Sequence, residues 1–79
     1  MKAKVYVTLK KAVLDPQGKA VLGALKSMGF KEVKDVRVGK FMEIEIDPAA
    51  SAGEGKRLKE MCERLLANTV IEDYRIELE

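Results

Sequence analysis

Apolar and polar residues alternate along four stretches of the chain, a pattern that predicts strands with one buried face each. The stretches cover residues 3–9, 36–38, 42–46 and 74–78. In each of them every second side chain is apolar, so each strand presents one face to a core and the other to solvent.

The two middle strands predict a hairpin around Gly39 and Lys40. A two-residue loop would bring Glu43 opposite Val36 on the apolar side, whereas a three-residue loop pairs Val36 with Ile44 and places Arg37 opposite Glu43. Because a slip of one residue turns every side chain to the other face, the sequence favours the longer loop or an equivalent bulge.

Two segments have the spacing of amphipathic helices. Asp15 and Pro16 suit the cap and first residue of a helix over 16–28, and Gly29 suits its end. Residues 51–54, Ser-Ala-Gly-Glu, form a capping box at the start of the second helix. Its apolar stripe consists of Leu58, Met61, Cys62, Leu65 and Leu66.

The resulting element order is β-α-β-β-α-β. This order predicts an α+β fold, a two-layer sandwich of the split-βαβ or ferredoxin-like kind, with two helices on one face of a mostly antiparallel four-stranded sheet. At 79 residues the chain is a single domain covering residues 1–79 with a marginal core.

Composition removes most catalytic chemistry from consideration. The chain has no histidine and one cysteine, so it lacks the usual general base and the ligands of nearly every zinc, haem or iron–sulfur site. Cys62 lies on the apolar stripe and is expected to be a buried, inert thiol. Glu43, Glu45 and Asp47 alternate on one strand, which is more typical of a solvated or partner-facing surface than of a metal site. No segment resembles a signal peptide or a membrane span, and we expect a cytoplasmic protein.

Four side chains are candidates for a self-association surface. Tyr6 and Phe41 fall outside the face that the helices cover, and Tyr74 and Ile76 lie on a terminal strand with an edge free to pair. Together with the marginal core, they favour a homodimer or higher oligomer.

Most of the chain resembles the PurS family. The matching segments are residues 5–10, 13–21, 36–40 and 61–74. The most specific blocks are Leu-Asp-Pro-Gln-Gly at 14–18 and Leu-Leu-Ala-Asn-Thr-Val-Ile-Glu-Asp-Tyr at 65–74. The match is loosest over 49–56.

This resemblance implies a small, non-catalytic subunit of phosphoribosylformylglycinamidine (FGAM) synthase in purine biosynthesis. In that family's complex, a PurQ-like subunit releases ammonia from glutamine. A PurL-like subunit uses ATP and Mg to convert formylglycinamide ribonucleotide (FGAR) to FGAM. The PurS-like chain bridges the two, so we expect it to bind no cofactor, no nucleic acid and no membrane, and to be inactive alone.

Two polar corners are the candidate contacts with these partners. The resemblance is strongest at the first corner and matches again at the second. The residues concerned are Asp15, Pro16, Gln17 and Gly18 at the first, and Arg37, Gly39 and Lys40 at the second.

Two other classes of function share this element order. One is a regulatory module that resembles ACT domains, which would carry an effector loop after the first strand where this chain has Asp-Pro-Gln-Gly. The other is an RNA-binding module, which is disfavoured because the strands lack an aromatic stacking platform and the net charge is only +2.

Overall fold

The structure is a computed structural model that describes residues 1–47 and 54–79. Its strands are β1 (Lys2–Leu9), β2 (Gly39–Glu45) and β3 (Glu72–Leu78), and its helices are α1 (Pro16–Ser27) and α2 (Glu54–Met61). A π-helical segment, Cys62–Leu66, continues α2. None of the described helices is both long and apolar enough to cross a membrane.

The sheet is antiparallel, with β1 between β2 and β3. Val5 lies opposite Met42 on one side and opposite Ile76 on the other, while Tyr6 lies opposite Phe41 and Arg75. Directly paired residues share a face. One face of the sheet therefore carries the apolar residues of all three strands, and the other carries Tyr6 with the charged residues.

The predicted α+β class is confirmed, but the described residues form three strands rather than four. Residues 36–38 belong to no strand, and the predicted hairpin is wrong: Met42 pairs with Val5, not Val38, and Ile44 pairs with Ala3. The physical reason lies in the backbone of 36–38, because the Val38 N–H donates to the carboxylate of Asp15. This segment is thus held by the start of α1 and not by a neighbouring strand.

Helix α1 begins and ends where the sequence predicts. The Asp15 side chain accepts a hydrogen bond from the Gly18 N–H, and Pro16 is the first helical residue. At the other end Gly29 has a φ of 100°, and the Phe30 N–H donates to the Leu25 carbonyl at 3.0 Å. Gly29 ends the helix in a left-handed backbone conformation, which residues with a Cβ rarely adopt.

The core lies between the apolar face of the sheet and α2 with its π-helical extension. Val5, Val7, Cys62 and Ala67 are buried in it, and Leu58 is buried on α2. The π-helical segment shifts the predicted stripe, because its wider turn changes which side chains face inward. Leu65 is 83% exposed as a result, while Leu66 packs against the core. The predicted capping box falls at residues 51–54, of which 51–53 lie outside the described residues.

Helix α1 contributes no side chain to this core in the described part of the chain. Met28 is 70% exposed, and Val21 and Leu14 are also exposed. The molecule measures 51 × 24 × 14 Å, with a radius of gyration of 16.1 Å. A compact domain of this length would have a radius of gyration of about 12 Å. The chain is therefore an elongated body with a protruding arm, residues 10–38, which contains α1.

Candidate functional site

The two predicted corners meet at one junction at the base of the arm. One carboxylate oxygen of Asp15 accepts from the Gly18 N–H at 2.9 Å, and the other accepts from the Val38 N–H at 2.8 Å. Asp15 is buried. These backbone hydrogen bonds, that of Gly18 first, hold the pKa of the Asp15 carboxyl below its ordinary value. The carboxylate thus ties the start of α1 to the segment that leads into β2.

Arg37 closes the same junction from the other side. Its Nη2 donates to the carbonyl oxygens of Leu9, Lys10 and Val13, at 3.4, 2.8 and 3.0 Å. The cation therefore bridges the loop between β1 and α1 and the segment before β2. Of the three charged residues that the sequence predicts for partner contact, Asp15 and Arg37 are thus engaged within the chain.

Two positions of the junction must be glycine because no room is left there for a side chain. A Cβ at Gly18 would collide with the carbonyl of Val36, and one at Gly39 would collide with the carbonyl of Val7. Of the remaining corner residues, Pro16 and Gln17 are exposed on the first turn of α1, and Lys40 lies 3.7 Å from the Glu72 carboxylate. The predicted role of these corners in partner contact stays a prediction.

A second surface lies on the polar face of the sheet, here called the outer face. Tyr6 and Phe41 are neighbours on it, with ring centroids 5.0 Å apart, and the Arg75 guanidinium stacks 4.3 Å from the Tyr6 centroid. Interaction with the Glu77 carboxylate, followed by burial, raises the pKa of the Tyr6 phenol. Arg75 is not among the residues predicted from the sequence, although alignment of β3 with β1 places it directly opposite Tyr6.

Tyr74 and Ile76 lie on the opposite face from Tyr6 and Phe41. Both are half-buried and pack against the core, and the Tyr74 hydroxyl donates to Glu63 at 2.9 Å. The four candidates for self-association are thus split between the two faces of the sheet.

A cleft of about 480 Å³ opens beside the core, next to β2. Its lining residues are Ile44, Arg57, Glu60, Met61, Arg64, Leu65 and Leu66. It lies on the helix-bearing face of the sheet, where the predicted fold would seat the first helix. The apolar surface of the cleft and the apolar side of α1 are therefore both uncovered in one chain.

Cys62 is fully buried in the core, and burial raises the pKa of its thiol. A thiol in this state is largely protonated at neutral pH and is a poor nucleophile. Within 1–47 and 54–79, no three His, Cys, Asp or Glu side chains lie together as metal ligands would.

A match to known proteins extends over nearly the whole chain. The family model described as PurS, phosphoribosylformylglycinamidine (FGAM) synthase, matches residues 2–79. The PurS subunit of this synthase from Bacillus subtilis is 60% identical over 78 residues, which are 99% of this chain and 92% of the relative.

Solved structures agree with this match. B. subtilis PurS superposes with a TM-score of 0.89 over 99% of this chain and 96% of its own. A chain of PurLQS from Thermotoga maritima superposes with a TM-score of 0.75 at 27% identity, over 96% of this chain and 93% of its own.

The fold defines a small α+β chain with two helices and an antiparallel sheet, and the matches define its family. The chain belongs to the PurS family of FGAM synthase. The resemblance stated from the sequence is confirmed, and so is the function that it implied, a subunit that takes part in FGAM synthesis only within the complex.

Proposed function

We propose that this chain is the subunit that joins a PurQ-like glutaminase to a PurL-like synthetase in FGAM synthase. The observation that carries the proposal is the match, over 96% of this chain, to a chain of PurLQS from T. maritima. The glutaminase supplies ammonia, and the synthetase uses ATP, Mg and FGAR to form FGAM. Holding both active sites in one assembly lets ammonia pass without being lost or protonated in bulk water.

The chain's own residues support a non-catalytic role. Its single thiol is buried and largely protonated, and the Asp15 carboxylate and the Arg37 guanidinium are engaged within the chain. ATP, Mg and glutamine therefore bind on the partner subunits, and ligase activity belongs to the assembled complex. We place this complex in the cytoplasm, where nucleotide biosynthesis has its substrates.

We also propose that the chain is a homodimer, or a higher oligomer built from that dimer, in which each copy covers the other's cleft with α1. The arm, residues 10–38, carries an apolar helix face that its own body does not cover. The body, residues 1–9, 39–47 and 54–79, carries a cleft lined by Ile44, Met61 and Leu65. The edge of β2 that faces away from β1 has no strand beside it in the described structure.

The charges of the arm and the body also favour this exchange of arms between two copies. The arm contains seven basic and three acidic side chains, a formal charge of +4, whereas the body carries −2. An arm of one copy on the body of another therefore joins opposite charges as well as apolar surfaces. Light scattering of the purified chain at micromolar concentration is expected to give at least twice the 8.8 kDa of one chain. A monomer mass would contradict the exchange.

Reconstitution of the synthase tests the bridging role. The isolated chain should hydrolyse neither glutamine nor ATP. Mixing the glutaminase and synthetase subunits without it should reduce glutamine-dependent FGAM synthesis far more than ammonia-dependent synthesis, because only the former needs the two sites to be joined. Equal rates with and without the chain would refute the bridging role.

A further inference from the structure

We infer that the outer face docks a basic surface of one of the other synthase subunits. The inference rests on the proposed bridging function and adds the surface that performs it. The surface of the partner that fits this face has apolar side chains at its centre and Lys or Arg at two opposite ends.

The centre of the outer face is an ordered aromatic cluster. Phe41, Tyr6 and Arg75 follow one another across β2, β1 and β3, and Phe41 is 52% exposed. The Tyr6 ring contacts the Phe41 ring on one side and the Arg75 guanidinium on the other. Aromatic side chains are enriched at protein interfaces, and rings that are already immobile lose little further entropy on binding.

The charges around this cluster are mostly neutralised in place. Lys2 pairs with Glu43 at 3.2 Å, Lys4 with Glu79 at 2.6 Å and Arg75 with Glu77 at 2.9 Å. The three cations of the face are thus each matched by a carboxylate, and a partner would not have to break these pairs to reach the rings.

Two further carboxylates on the outer face take part in none of these ion pairs. Glu45 lies opposite Lys2 at one end of the face, and Asp73 lies opposite Thr8 at the other. These two positions are six residue steps apart along β1, from Lys2 to Thr8, a distance of about 20 Å along the strand. Because the face as a whole has two more acidic than basic side chains, a complementary partner carries cations at this spacing.

The competing surface is formed by the two corners predicted from the sequence, where Asp15 and Arg37 are occupied within the chain. The Asp15 carboxylate accepts two backbone N–H groups, and Arg37 donates to three carbonyls within the same chain. Recognition by these groups would require the junction to open, whereas the outer face is available as it stands.

The test is binding of purified variants to the glutaminase and synthetase subunits in the presence of ATP, Mg and glutamine. Phe41→Ala should weaken binding about tenfold, the size of a typical loss at an aromatic interface centre. The pair Glu45→Lys with Asp73→Lys should weaken it at least about tenfold at low salt and flatten its salt dependence. A matched control, Glu32→Lys with Asp35→Lys, makes the same change of charge on the exposed arm and should leave binding unchanged.

Three outcomes would overturn the inference. If Phe41→Ala and the Glu45/Asp73 pair bind normally while Gln17→Ala weakens binding, the corner is the docking site. If the outer-face variants lose only a tetramer and still bind both subunits, the face joins copies of this chain. If the wild-type chain binds neither subunit, the bridging proposal itself fails, and this inference fails with it.

Discussion

At the scale of single residues, the structure gives the most specific sequence block an internal role. Asp15 caps α1 as the sequence predicts, and its second oxygen also accepts a hydrogen bond from the Val38 N–H, 23 positions away. Arg37 binds three carbonyls on the far side of the same loop. Neither long-range contact leaves a local signal, because hydrogen bonds between distant segments follow no sequence period.

Arg37→Ala should lower the free energy of unfolding by about 1 kcal/mol, since hydrogen bonds from a charged donor are lost but lie in solvent-exposed surroundings. This exceeds the small effect, within about 0.5 kcal/mol, expected of an exposed corner residue. Gln17→Ala, on the exposed first turn of α1, is the matched control and should change stability little. Urea unfolding at one fixed protein concentration compares them, and equal midpoints would mean that the Arg37 contacts add nothing to stability.

Asp15→Asn should destabilise the fold at neutral pH, because the amide NH2 cannot accept the second backbone hydrogen. The pKa of the Asp15 carboxyl is lowered in the folded chain, so its contribution is fully present above the unfolded value of about 3.9. That contribution is lost as pH falls through the lower folded pKa. The difference in unfolding free energy between wild type and variant should therefore be constant from pH 7 to 5 and shrink below about pH 4. A difference that stays constant down to pH 2 would contradict this assignment.

At the scale of elements, periodicity predicted both helices and the three observed strands and failed at residues 36–38, whose contacts belong to the junction. Helix α1, its left-handed stop at Gly29, and strands β1 and β3 appear as expected. The alternation at Val36 and Val38 suggested a strand, yet these residues serve the junction. The sequence identifies the residues of both corners. It cannot predict that the two corners form one junction, because that contact depends on where β2 pairs.

Glycine substitutions within α1 separate the junction from the helix itself. Gly18→Ala should lower the unfolding free energy by about 1–3 kcal/mol, because the added Cβ meets the Val36 carbonyl. Gly23→Ala, in open space on the same helix, should raise it by about 1 kcal/mol through helix propensity alone. Denaturant unfolding measures both. If both substitutions stabilise the chain, the close approach at Gly18 is not a constraint.

At the scale of the whole molecule, a single chain does not form the complete two-layer sandwich that its sequence predicts, because α1 does not pack on the sheet within the described residues. The prediction placed two helices on one face, whereas the core is built from the sheet and α2 with its π-helical extension. The cleft beside β2 and the apolar side of α1 are the two halves of the missing contact. An elongated chain of this size buries too little surface to be very stable alone, so covering both surfaces at once should supply much of its stability.

Exchange of arms predicts that substitutions on α1 and in the cleft have the same effect. Val21→Glu on the apolar side of α1 and Leu65→Glu at the cleft should each abolish the dimer at micromolar concentration, because either one buries a charge at the same interface. Ala20→Glu is the matched control, one position away on the exposed side of α1, and should remain dimeric. Light scattering gives the mass, and small-angle scattering should show the monomeric variants keeping the elongated shape of one chain, whose Cα atoms have a radius of gyration of 16.1 Å. A dimer that persists in Val21→Glu but not in Leu65→Glu would mean that the cleft is covered by something other than α1.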